Sequence, residues 1–121
     1  AEGLANLEAI VATPGLDGIY VGPSDLTLSV TQGRLPPGLD REEPQMISAL
    51  QTIAAACQRR GVIPALHCAS PAYAARAIGW GYRMTTVGSD TQFLSTGAAD
   101  AVAAFRRLTG DKAAEAGPTG Y

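Results

Sequence analysis

The sequence contains no initiator methionine, no long apolar run and no excess of positive charge, and it has only two cysteines and one histidine. No apolar stretch approaches the ~20 residues that span a bilayer, and no leader is legible, so no membrane association is expected. A formal net charge of -2 offers no basic footprint for nucleic acid and no polybasic patch for a lipid surface. Cys57 and Cys68 form neither a disulfide framework nor a metal-ligand spacing, which fits a reducing, cytoplasmic setting. What remains is 46% hydrophobic and 17% charged over 121 residues, the composition of a soluble globular domain.

The chain also lacks a helix cap at its start. Ala1 to Val11 reads as helix, with Leu4, Leu7, Ile10 and Val11 on one side, yet nothing precedes it that could cap it. The expectation is a chain that begins in mid-element, as a piece of something longer. Thr13-Pro14-Gly15 is turn chemistry, and Asp17 to Val21 is a β-branched and aromatic strand. Residues 27 to 42 read as a loop, with Pro36-Pro37-Gly38 inside it. A helix then opens with Glu42 and Glu43 before Pro44 and closes with Arg59 and Arg60 before Gly61, charges and breakers that suit its dipole at both ends. Met46, Leu50, Ile53 and Cys57 mark its buried face, with Ile47 and Ala54 beside them. For Cys57 this makes a small buried hydrophobe the ordinary reading.

Val62 to His67 is a second strand, with Pro64 counting against a central place in a sheet but tolerable near a strand's first residue. Ser70 caps a short helix with Pro71 in its first turn, carrying Tyr73, Ala74, Ala77 and Ile78, and Gly79 to Gly81 ends it. Tyr82 to Val87 is a third strand. Ser89 or Asp90 caps a last helix with Phe93, Leu94, Ala98, Ala101, Val102, Phe105 and Leu108 along one stripe. The order is therefore α, then βα three times, which implies a parallel sheet with right-handed crossovers. Three units are too few to close a barrel, which takes eight strands and roughly 250 residues. The fold class expected is α/β: the C-terminal part of a (β/α)8 TIM barrel over residues 1–109, followed by a flexible tail over 110–121 with little to bury.

Within that frame one stretch is placed to do chemistry. The strand Gly18-Ile19-Tyr20-Val21 stops at Gly22-Pro23, and Ser24-Asp25-Leu26 follows, delivering a carboxylate to the C-terminal end of a strand, where α/β enzymes keep their sites. The third strand repeats the pattern in Val87-Gly88-Ser89-Asp90, although Ser and Asp are ordinary caps and Asp90 reads first as one. His67 and Cys68 are neighbours on an extended segment, so their side chains face opposite ways and cannot act as a Cys–His pair. A hydrogen-bonded histidine at a strand end is the ordinary reading of His67, a substrate contact the other. Arg83, at the start of its strand, and Trp80, between glycines, read as structural at the opposite end.

The run Leu4-Ala5-Asn6-Leu7-Glu8-Ala9-Ile10, then Pro14-Gly15-Leu16-Asp17-Gly18-Ile19-Tyr20-Val21-Gly22-Pro23-Ser24-Asp25-Leu26, resembles the HpcH/HpaI aldolase/citrate lyase family, above all its metal-dependent class II pyruvate aldolases. The resemblance continues through Ala65-Leu66-His67-Cys68-Ala69-Ser70-Pro71 and Val87-Gly88-Ser89-Asp90, covering about residues 1 to 108. It implies a (β/α)8 barrel that binds magnesium, manganese or cobalt at its mouth and cleaves 4-hydroxy-2-oxo acids to pyruvate and an aldehyde through an enolate. It also implies that Asp25 is a metal ligand, and that the backbone N–H groups of Ser24 and Asp25 bind the carboxylate of a small 2-oxo acid. The complete enzyme is expected to be a homo-oligomer.

The family's second metal carboxylate is a glutamate just before the first helix. Glu2 lies near that place but inside the helix, so it does not match. The family's substrate-gripping arginine and its histidine–aspartate base belong to a part of the barrel not represented here, and no catalytic base is assigned to this chain. Two alternatives stand beside the aldolase reading. One is a truncated, non-catalytic barrel piece that pairs with another chain; the other is a relative of citrate or malyl-thioester lyases.

Overall fold

A computed structural model describes residues 2–110. The elements run α1 (Glu2–Ala5), α2 (Leu7–Val11), β1 (Gly18–Val21), α3 (Pro23–Thr31), α4 (Pro44–Arg60), β2 (Ile63–Leu66), α5 (Pro71–Gly79), β3 (Met84–Thr85) and α6 (Asp90–Thr109). The chain divides into two compact units, Ala1–Gly88 and Ser89–Tyr121. The first holds a parallel three-stranded sheet in the order β1-β2-β3. The second, where described, is α6, none of whose residues is buried. The tail expected over 110–121 falls outside the described residues, Gly110 apart.

Helix α4 forms where its end signals sit. Pro44 occupies the first turn, Arg59 and Arg60 the last, and Gly61 stops it in the left-handed conformation at φ 70° that a side chain resists. Met46, Leu50, Ile53, Ala54 and Cys57 are all buried along one face, as their spacing predicts. Leu50, Ile53, Ala54 and Cys57 close over the sheet together with Leu7, Val11, Val21, Leu66 and Tyr73. Tyr82 sits in this layer with its hydroxyl donating to the Leu50 carbonyl at 2.9 Å, which satisfies a buried polar group.

Four expectations are corrected. The opening helix is two short ones, parted at Asn6, and Ile10 is exposed rather than packed. Residues 23–31 are a helix, not the start of a loop. Its apolar periodicity is weak because its buried positions are threonines, whose hydroxyls bond back to the carbonyls four residues earlier: Thr27 to Pro23 and Thr31 to Thr27, each at 2.7 Å. Strand β2 is central despite Pro64. The N–H groups of Ile63 and His67 donate to β1 and its approach, whereas Pro64 and Leu66 turn toward β3. Pro64 thus faces the side where β3 has yet to begin, and no ladder bond is lost; its carbonyl still accepts from Arg83 at 2.9 Å. Finally, β3 pairs over two residues only.

The other face of the sheet is open. Tyr20 stands opposite Ala65, and Ala65 opposite Met84, while Gly18 stands opposite Ile63. These residues line a concavity of about 460 Å³, and Tyr20, Ile63 and Met84 are 53%, 50% and 59% exposed. Gly18 lets the strands approach: a Cβ there would lie 2.8 Å from the Ile63 carbonyl oxygen. Gly18→Ala is therefore expected to cost about 1–3 kcal/mol of stability through overpacking against backbone. An unchanged urea midpoint in that variant would contradict this packing.

Candidate functional site

Parallel pairing brings the ends of the strands to one edge of the sheet. At the end of β1, Gly22 is the N-cap of α3, Pro23 its first residue, and Ser24 and Asp25 follow in the first turn. Gly22-Pro23, where the strand was expected to stop, is thus the opening of a helix. Gly22 has an extended φ of −92°, so its value lies in space rather than in a left-handed backbone. A Cβ on it would meet Asp25 Oδ2 at 3.4 Å, which shows the carboxylate folded back over the glycine. No side chain caps this helix. The N–H groups of Ser24 and Asp25 are first-turn donors with no partner inside the helix, and the dipole favours an anion there. Asp25 is exposed, and among the described residues its carboxylate takes no hydrogen bond or ion pair. Ser24 is half-buried.

At the end of β2, His67 donates its backbone N–H to Val21, the residue before Gly22, at 3.1 Å. Its Nδ1 lies 2.7 Å from the Tyr20 hydroxyl, with the two rings edge to face. The hydrogen-bonded histidine read from the sequence is therefore present, and its partner is on the neighbouring strand. Cys68 points the other way, fully buried. Burial, and then the charge of Asp40, push its thiol up to about 11, so it is no nucleophile near neutrality.

Asp40 is a site residue that the sequence did not single out. Its carboxylate accepts from the Ala69 N–H at 2.8 Å and from the Ser70 hydroxyl at 2.6 Å, while Ser70 caps α5 by accepting from the Tyr73 N–H at 3.2 Å. Its backbone sits at φ 49°, a conformation aspartate tolerates better than most residues. Tyr73 donates its hydroxyl to the Arg41 carbonyl, and burial, then Glu42, push that phenol up to about 12. The loop between α3 and α4 is thus tied to the end of β2. The signal that could have revealed this was an aspartate between Pro36-Pro37-Gly38 and a helix, but its partners lie about thirty residues away in sequence.

The remaining candidates are placed as follows. Ser89, rather than Asp90, is the N-cap of α6, accepting from the Gln92 N–H at 3.3 Å, while Asp90 accepts from its neighbour Thr91 at 2.8 Å. Arg83 lies with Gln58, Gly61 and Pro64 at the opposite end of the strands from Asp25, consistent with a structural role. Trp80 packs edge to face on Tyr73 at 5.5 Å, with the Arg76 guanidinium over both rings. Glu2 is exposed on α1. Among the described residues no group of three His, Cys, Asp or Glu side chains could hold a metal. Asp25 fits a hard cation in kind, as a free oxygen donor, but six or more oxygens are wanted and the described residues offer this one carboxylate.

An α/β layer with all its strands parallel, and a carboxylate and free N–H groups at the C-terminal end of β1, fits a segment of a (β/α)8 barrel. The comparisons give the family. The HpcH/HpaI aldolase/citrate lyase model matches residues 1–96, and the chain belongs to that family. The chain is 30% identical over 107 residues to a hydroxypyruvate/pyruvate aldolase of Rhizorhabdus wittichii, covering 88% of this chain and 41% of that protein. It is 35% identical over 105 residues to a 5-keto-4-deoxy-D-glucarate aldolase of Escherichia fergusonii, covering 87% and 39%. A solved HpcH/HpaI aldolase/citrate lyase family protein from Burkholderia cenocepacia superposes with a TM-score of 0.76 at 33% identity, covering 88% of this chain and 39% of the other. The chain thus spans about 40% of the length of the relatives it matches.

Removing the Asp40 clamp tests how the mouth is held. Asp40→Ala leaves a part-buried N–H and hydroxyl without their acceptor, for a loss of about 1–3 kcal/mol. Amide exchange at Ala69 is expected to quicken; exchange unchanged from the parent would show that the clamp does not hold this turn.

Proposed function

We propose that this chain is the C-terminal portion of a divalent-metal-dependent aldolase that cleaves 4-hydroxy-2-oxo acids to pyruvate and an aldehyde. The observation that carries the reading is the turn after β1, where an exposed, unpartnered Asp25 carboxylate adjoins two free first-turn N–H groups in a chain of this family. The related aldolases are named for hydroxypyruvate, pyruvate and keto-deoxy sugar acids, which supports a small 2-oxo acid as substrate.

In this reading the N–H groups of Ser24 and Asp25 receive the substrate carboxylate, and Gly22 leaves room for it. Asp25 contributes one carboxylate to a magnesium, manganese or cobalt ion. A divalent cation at such a site supplies Lewis-acid stabilisation of negative charge on oxygen. Cleavage breaks the bond between C3 and C4, the 4-hydroxyl loses its proton, and the electron pair passes into the pyruvate enolate. The base that takes the proton comes from outside the residues described. By themselves the 121 residues are accordingly proposed to be inactive, the complete barrel to be a cytoplasmic homo-oligomer, and neither nucleic acid nor a membrane to be a partner. No helix among the described residues is long and apolar enough to cross a membrane.

The open sheet face favours a second reading, a non-catalytic barrel piece that pairs with another chain. Tyr20, Ile63 and Met84 are half exposed on it, and among the described residues the sheet has two unpaired edges. A relative of citrate or malyl-thioester lyases is also compatible with the family.

The test is pyruvate release from a 4-hydroxy-2-oxo acid by the complete enzyme. Asp25→Ala is expected to abolish it, by at least about 10³-fold, with the fold retained by circular dichroism, since a missing transition-state ligand on this scale is worth several kcal/mol. Full activity in that variant would sink the assignment.

A further inference from the structure

We propose that His67, held by Tyr20, is a specificity-determining contact that hydrogen-bonds the oxygen substituents of a 2-oxo acid beyond its keto group. The inference rests on the aldolase reading and adds to it a residue that discriminates longer substrates from pyruvate itself.

Along the open face of the sheet, Gly18 and Ile63 lie side by side near the start of the strands, with Asp17 beside them, then Ala65 and Met84 beside the Tyr20 ring. At the end that carries the Gly22–Asp25 turn, the Tyr20 hydroxyl meets His67 Nδ1 at 2.7 Å. The bond is diagonal. Tyr20 stands opposite Ala65, and its hydroxyl reaches two residues further along β2. The His67 backbone donates to Val21, so the imidazole hangs from the strand end next to Gly22.

Tyr20 is 53% exposed and His67 is half-buried. With the Tyr20 hydroxyl as donor to Nδ1, a neutral imidazole carries its proton on Nε2. Nε2–H has no partner among the described residues. The ring is therefore a fixed donor with its second nitrogen already engaged, and it stands beside the turn that would take the substrate's carboxylate. Such a donor suits an acceptor oxygen several atoms along the same molecule. A 4-hydroxy-2-oxo acid has one there and pyruvate has none. Tyr20 touches His67 rather than the ligand, and is a positioning residue.

In the complete enzyme, the ring-nitrogen NMR signals of His67 are assigned by their loss in His67→Asn. The complete enzyme labelled with nitrogen-15 is titrated with pyruvate and with a five-carbon 4-hydroxy-2-oxo acid, both with magnesium present. Both acids are expected to shift the Ser24 and Asp25 amides, and only the longer acid to shift His67 Nε2. Tyr20→Phe should weaken the longer acid roughly three- to tenfold and leave pyruvate unchanged, the loss expected for one orienting hydrogen bond. His67→Asn, which keeps a donor in a smaller side chain, should erase the discrimination between the acids. If the turn amides respond and His67 is silent, or if Tyr20→Phe weakens both acids equally, the inference falls and the aldolase reading stands. If neither the amides nor the ring responds, both fall. A ring shift with silent amides separates the pair from the site and also overturns the inference.

Discussion

Everything that positions chemistry in this chain depends on the parallel pairing of β1 with β2 and of β2 with β3. Parallel strands end on one side, so the residues that follow them share an edge however far apart they lie in sequence. Gly22 to Asp25 and His67 to Ser70 meet there for that reason alone, since their segments are separated by a loop and the seventeen residues of α4. The pairing is close because Gly18 has no side chain, and it passes Pro64 because the missing donor faces a gap in the ladder. Both residues look like weaknesses in a strand; each is a condition of the register.

Physical separation of tasks follows from the same geometry. One face of the sheet is sealed by α2, α4 and α5, and the buried layer between includes the hydrogen-bonded Tyr82 and the inert Cys57 and Cys68. The other face carries the Tyr20–His67 pair and ends at Asp25. Asp40 and Tyr73 fasten the α3–α4 loop to the turn that holds His67, so a loop with much Gly and Pro is anchored at the mouth by two side chains. In an enzyme of this family, that separation keeps a carboxylate in reach of solvent while its support remains buried.

The features legible in the sequence were those with local causes. Pro44, Arg59, Arg60 and Gly61 bound α4, Ser70 caps α5, and the order of strands and helices implies a barrel segment. The Gly-Pro-Ser-Asp-Leu motif led to the family. What escaped had causes that are distant or atypical. Helix α3 was hidden because threonines, not aliphatic residues, fill its buried positions. The place of Pro64 depended on where β3 begins, which strand propensity does not encode. The partners of Asp40 and His67 lie 29 and 47 residues away and carry no spacing signature. The motif singles out Asp25, whereas the groups around it are placed only by the fold.

The central claim is that the end of β1 offers Asp25 to a divalent cation. Paramagnetic broadening by manganese measures this directly in the nitrogen-15-labelled chain. The amides of Gly22, Ser24, Asp25 and Leu26 are expected to broaden first as manganese is added, and Asp25→Asn to abolish the effect. Broadening centred on another acidic stretch, such as Glu42 and Glu43, and indifferent to Asp25→Asn, would contradict the account.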